Sequence, residues 1–216
     1  MKLYFLILFS FCLSHLYAQV THTVNFSREE LTLSDVVGDD SNLYTQVSYS
    51  DLQPTEELAN PELPVKYIRL IIPNDQKLAE INLSFAERDT IGLSHWIYPK
   101  QPPTPTSIGF GGYEFIAPDE ETYRSQNPFP IDLVKLSSDG YFDGINHIIS
   151  LAVCPVQYYP LQNKLIFYSS IQITLSLQPS NPPLLNVITR IASNQTMYDN
   201  VLEEQASGRV PLERLD

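Results

Sequence analysis

The side chains of this sequence that can attack a carbonyl or hold a metal are few. Cys154 is the one cysteine outside the N-terminal apolar segment, and His22, His95 and His147 are scattered along the chain. A cysteine nucleophile needs a thiolate, a base within hydrogen-bond reach and access to substrate. Cys154 lies in an apolar run directly before Pro155, where a packed core thiol is expected. The histidines have none of the short spacings that tetrahedral metal sites use. The acids Asp35, Asp39 and Asp40 around Gly38, and Asp119, Glu120 and Glu121 further on, lack the periodicity and central glycine of a calcium loop, so they read as solvated faces. No G-x-S-x-G, P-loop or H-E-x-x-H is present. The chain reads as a non-enzyme with no cofactor and no metal.

What these residues leave is a binding or covering role, and the elements around them suggest its frame. The chain has 216 residues, 43% of them hydrophobic, which suits one ordinary core. Proline is plentiful (17) beside glycine (8), and tyrosine (13) and phenylalanine (10) are generous. Short segments punctuated by proline and filled with aromatic and β-branched residues predict an all-β domain, mainly antiparallel, of sandwich or barrel-like form. A formal charge of −12 argues against a nucleic-acid partner and against an anionic membrane surface.

The first residues belong to export rather than to the fold. Met1-Lys2 is a short positive start, and "LYFLILFSFCL" (Leu3 to Leu13) is an apolar run of signal-peptide length, too short to span a bilayer as a helix. Ala18 offers a small residue for cleavage and leaves Gln19 as the new N-terminus. That cut removes one base and no acid, and it leaves Cys154 without an intramolecular disulfide partner. No later run is long and apolar enough for a membrane-spanning helix, so an exported product of bacterial type is expected, in the periplasm, at the cell surface or outside the cell.

Residues 19–179 then read as the β-rich domain. "LYTQVSY" (Leu43 to Tyr49) alternates as a strand. "ANPELP" (Ala59 to Pro64) is a turn. "VKYIRLII" (Val65 to Ile72) is apolar on both faces, so it is expected to be covered on both sides. "AEINLSF" places Ala79, Ile81, Leu83 and Phe85 inward. Tyr98 to Tyr113, rich in proline and glycine, is the main irregular loop, available to contact a partner. Pro118 to Pro130 reads as a second loop, and Ser138-Asp139-Gly140 as a turn. "HIISLAV" returns to strand, with "PVQYYP" (Pro155 to Pro160) turning into one long return strand. That strand carries Leu165, Phe167, Ile171, Ile173, Leu175 and Leu177 on a single apolar face. Residues 180–216 read as a linker and a short helix around Met197 to Glu204, which Gly208 would stop.

The order of "NPELPVKYIRLIIP", "PVQYYP" and an apolar return strand resembles the N-terminal propeptide of the gingipain family of secreted cysteine peptidases, over most of residues 43 to 209. That family shows a G-x-P-x-LP segment and a P-x-Q-Y-N-P hairpin. Here the glycine falls at Ala59 or Asn60, and Tyr159 replaces the asparagine. The resemblance implies a chaperone-inhibitor that occludes the active-site cleft of a peptidase catalytic domain, in cis or in trans, while the catalytic residues belong to that next domain. It also implies that Tyr98 to Tyr113 is the partner-contact loop, with Lys100, Pro103, Pro105, Phe110 and Tyr113 as its candidate contacts. Arginine-specific members place an Arg in this loop, whereas here the only base is Lys100. Arg209 and Arg214 are the expected processing sites. The chain is then a stand-alone homologue or a truncated precursor. A secreted β-sandwich adhesion module, stacking sugars on Trp96, Tyr98 and Tyr113, is the alternative.

Overall fold

The computed structural model describes residues 18–103, 114–141 and 147–181. The leader segment 1–17, the expected helix around Met197 to Glu204, and Arg209 and Arg214 lie outside the described residues. The strands are β1 (Ala18–Asn25), β2 (Leu31–Val37), β3 (Leu43–Tyr49), β4 (Gln53–Pro54), β5 (Pro64–Ile72), β6 (Gln76–Phe85), β7 (Arg88–Gly92), β8 (Val134–Tyr141), β9 (His147–Val153), β10 (Val156–Tyr159), β11 (Lys164–Tyr168) and β12 (Ser170–Pro179). They form antiparallel sheets in the orders β1-β12-β6, β10-β11-β7, β2-β3 and β4-β5-β9-β8. No closed barrel is formed among the described residues.

The core lies where the inward faces of these sheets meet. β12 contributes Ile171, Ile173, Leu175 and Leu177, β5 contributes Ile68, Leu70 and Ile72, and β9 contributes Ile149, Leu151 and Val153. β10 and β11 add Val156, Tyr158, Leu165 and Phe167. Each such side chain stabilises the fold by about 1.5–3 kcal/mol relative to exposure. β5 buries Ile68, Leu70 and Ile72 on one face, where Lys66 is half-buried, and is half-buried at Tyr67 and Ile71 on the other, with Arg69 exposed.

Several local expectations are corrected. The long return strand is two strands in two different sheets, parted at Ser169. β11 pairs with β10 and β7, while β12 pairs with β1 and β6. The alternation runs unbroken across the change of sheet, because both halves point their odd-numbered residues into the same core. The even face is not uniformly wet. Tyr168 is buried, with its ring 4.8 Å from that of Phe85 and its hydroxyl donating to Gln157 Oε1 at 3.0 Å.

Ala79 is exposed and Leu78 takes the inward place. Ser176 pairs with Glu80 and Leu177 with Leu78, so Ala79 is the extra residue of a bulge. Ser138, Asp139 and Gly140 are not a turn. They continue β8, pairing with Ser150, Ile149 and Ile148, past a register shift between Leu136 and Ser138.

The segment 118–130 contains a one-turn helix, α1 (Glu120–Tyr123), whose start is capped by Asp119 accepting from the Thr122 N–H. "PVQYYP" is mostly strand: β10 runs to Tyr159, and the chain reverses over Pro160–Gln162 to Asn163, which is left-handed at φ 44°. β1 and β2 add to the strands expected from the sequence pattern.

Candidate functional site

The segment expected to meet a partner is held by a clasp built from four short pieces of chain. The first is the turn at Ala59, whose backbone is left-handed at φ 66°. An alanine thus occupies a conformation in which a residue without Cβ is favoured. The Ala59 N–H donates to Lys100 O at 3.0 Å, and its carbonyl accepts from the Asp119 N–H at 3.0 Å. Lys100 N donates to Asn60 O at 2.8 Å and Glu62 N to Tyr98 O at 2.9 Å, around a Pro61–Pro99 bridge. Asn60 Oδ1 accepts from Thr122 Oγ1 at 2.7 Å, joining the turn to α1.

Gln101 closes the loop. Its Nε2 donates to Ile116 O at 2.9 Å and to Pro99 O at 3.1 Å, and its Oε1 accepts from Ile116 N at 2.8 Å. A side-chain amide thus stands in for a strand, bridging the point where the loop departs to the point where it returns. Below it the rings of Tyr44, Tyr98 and Phe115 pack with centroids 5.7–6.3 Å apart. Tyr44 donates its hydroxyl to Asp40 at 2.7 Å, and burial, then Asp40, pushes its phenol up to about 12. Tyr123, at the end of α1, is buried and donates to Ile97 O at 2.7 Å. The base of the loop is therefore rigid at both ends.

Of the expected contact residues, Lys100 sits in this base. Its ammonium is 3.6 Å from Glu62, with both side chains largely covered. Pro103 is exposed at the start of the loop. Pro105, Phe110 and Tyr113 lie outside the described residues. Ala18 and Gln19 are exposed at the free end of β1, paired with Leu177 and Ser176. Of the rings named for sugar stacking, Trp96 is partly exposed and packs 5.3 Å from Tyr123, and Tyr98 belongs to the Tyr44 cluster.

Gln101, Asn60, Asp119 and Phe115 were not foreseen. Only Asp119 had a local signal, since Asp three residues before Thr122 is capping spacing. The partners of the others are distant in sequence.

The nucleophile candidate is accounted for by packing. Cys154 is buried, its thiol donates to Val156 O at 3.1 Å and Pro64 O at 3.3 Å, and burial pushes it up to about 12. His147 is buried between Asp139 and Gln76 O. Among the described residues no group of three or more His, Cys, Asp or Glu could hold a metal, and no helix is long and apolar enough to cross a membrane.

The β scaffold thus ties the two described ends of this loop together through backbone and side-chain hydrogen bonds. The chain belongs to the Propeptide_C25 family, which matches residues 13–202. It is a propeptide of the kind carried by gingipain-like cysteine peptidases, a non-catalytic region of a peptidase precursor.

The fold is similar to a structure described as the complex of Porphyromonas gingivalis RgpB pro- and mature domains. The TM-score is 0.63 at 15% identity, over 90% of this chain and 95% of the other. It is also similar to a structure addressing zymogenic latency of gingipain K from the same organism, with a TM-score of 0.58 at 22% identity, over 77% and 90% of the two chains. No curated protein matches the chain in sequence.

Proposed function

We propose that this propeptide is exported, assists folding of a C25-type catalytic domain and covers its active-site cleft with the loop between Gln101 and Ile116. The observation that carries the reading is the clasp. A loop that must block a cleft without being cut gains from having both ends fixed, because less ordering entropy is lost on binding. Gln101, the Ala59 turn and the Tyr44 cluster supply that fixation. Occlusion here works by shape. Lys100 is tied to Glu62 at the foot of the loop, so the reading does not require a basic side chain in a specificity pocket. The covering contacts then come from the outer part of the loop, with Pro103, Pro105, Phe110 and Tyr113 as candidates.

Export is supported by the leader segment and by the position of Ala18 and Gln19. Cleavage between them removes one terminal pair and leaves β1 whole from Gln19 onward. Release would follow cleavage in the segment containing Arg209 and Arg214. The catalytic domain can be covered in cis or in trans.

The test is a titration of residues 19–216 against a C25 catalytic domain from the same organism, followed by peptide hydrolysis. The expected result is inhibition that competes with substrate. Replacing residues 104–113 by a short Gly-Ser linker should abolish it without changing the melting temperature. Full peptidase activity at micromolar propeptide would refute the reading.

A further inference from the structure

Exposed apolar side chains stand on the segments that are hydrogen-bonded to the foot of the loop. Val37 and Leu43 are cross-strand partners at the tip of the β2–β3 ribbon and are 65% and 43% exposed. Leu58, 47% exposed, immediately precedes the left-handed Ala59, and Trp96, 39% exposed, immediately precedes Ile97. The turn at the ribbon tip does not call for an apolar pair. Gly38, Asp40, Ser41 and Asn42 already make it, with Gly38 N donating to Asn42 O at 2.9 Å and Asn42 N to Asp40 Oδ1 at 3.0 Å.

These four residues are tied to the loop by its own clasp. Thr45 N donates to Trp96 O at 2.7 Å and Tyr98 N to Thr45 O at 2.9 Å, fixing the ribbon to the outgoing chain. A Cβ at Gly38 would lie 3.3 Å from the Phe115 ring, and Tyr44 packs on that ring at 6.3 Å, so the ribbon tip lies against the returning chain. Leu58 is fixed through the Ala59 to Lys100 hydrogen bond. This foot also has a sign. Burial, then Asp39, Glu62 and Asp40, push the Tyr98 phenol up, so these acids converge on the same foot, and Lys100 is already paired with Glu62.

We propose that Val37, Leu43, Leu58 and Trp96, bordered by Asp39 and Asp40, form a docking collar. It seats on the peptidase catalytic domain beside the cleft, on an apolar patch fringed with Lys or Arg. This rests on the reading of the loop as the part that covers the cleft, and it divides the labour. The loop blocks the cleft, the collar holds the domains together, and the acids speed their encounter at low salt.

The test combines Val37→Ser, Leu43→Ser and Leu58→Ser in the mature chain, leaving Trp96 in place because it packs on Tyr123. The inhibition constant against the same-organism C25 catalytic domain should rise about 10- to 100-fold with the melting temperature unchanged. Amides of 36–44 and 57–60 in the unaltered chain should become protected from hydrogen exchange in the complex. Inhibition by the triple variant equal to that of the unaltered chain would overturn the collar and leave the loop reading standing. Failure of the unaltered chain to inhibit would overturn both. If the triple variant unfolds, the exchange footprint decides: protection confined to 98–118 rejects the collar.

Discussion

Ala59 shows how one backbone conformation organises the loop base. Its φ of 66° is a region that L-residues occupy at a cost of roughly 1–2 kcal/mol, yet both of its peptide groups are engaged there, one with Lys100 and one with Asp119. Glycine removes that cost at the expense of some unfolded-state entropy. Ala59→Gly is therefore expected to raise the melting temperature by about 2–4 °C and to leave inhibition unchanged, as calorimetry and a peptidase assay would report. A fall in melting temperature would mean that the Ala59 methyl packs productively.

Gln157, in "PVQYYP", is held at the same scale by full satisfaction of a buried amide. Its Nε2 donates to Pro130 O at 2.9 Å and Ile131 O at 3.2 Å, and its Oε1 accepts from the hydroxyls of Tyr159 and Tyr168. Tyr159 thus adds a hydrogen bond to this amide, while the left-handed turn position is filled by Asn163.

At the scale of elements, Gln101 joins the two described ends of the loop by bonding to the Ile116 backbone. Gln101→Ala removes three hydrogen bonds but touches no core side chain, and the Ala59–Lys100 and Glu62–Tyr98 ladder remains. Inhibition is expected to weaken by about tenfold, through lost pre-organisation, with a much smaller loss of stability. Parallel measurement of the inhibition constant and the melting curve separates the two. A large drop in melting temperature with unchanged inhibition would place Gln101 in the scaffold rather than the clasp.

The same contrast explains how much could be read in advance. β3 was legible because a strand with one buried face writes its burial as alternation, and β5 because its run is apolar on both faces. The break at Ser169 was not, since the chain changes sheets while keeping its parity toward one core. The bulge at Ala79 and the continuation of β8 through Gly140 depend on β12 and β9, and neither partner is local. The irregular character of the 98–113 region is written in its prolines and glycines. Its anchoring by Gln101, Asn60 and Phe115 is not, because each bond joins residues that only the fold brings together.

At the scale of the whole molecule, the two ends of the β domain close on each other. β1 pairs with β12 from Ala18↔Leu177 to Asn25↔Ser170, and β12 also carries the pairing with β6. The sheet therefore cannot form until about the last strand of the domain has been delivered. Such non-local pairing also makes folding slow, in the range of milliseconds to seconds for domains dominated by it.

β12 supplies Ile171, Ile173, Leu175 and Leu177, each essentially fully buried, and separates two sheet neighbours. A chain ending at residue 168 is expected to lose cooperative thermal unfolding altogether, since that much lost burial exceeds the 5–15 kcal/mol by which domains are usually stable once pairing is lost as well. A chain ending at residue 181 should keep it, and should still inhibit in trans. Cleavage at Arg209 or Arg214 would then sever the covalent link while leaving the cover folded, and release would require dissociation or further cutting. Circular dichroism melts of the two truncations test this directly. If the chain ending at 181 unfolds without cooperativity, the segment beyond it is part of the fold, and processing there would itself dismantle the propeptide.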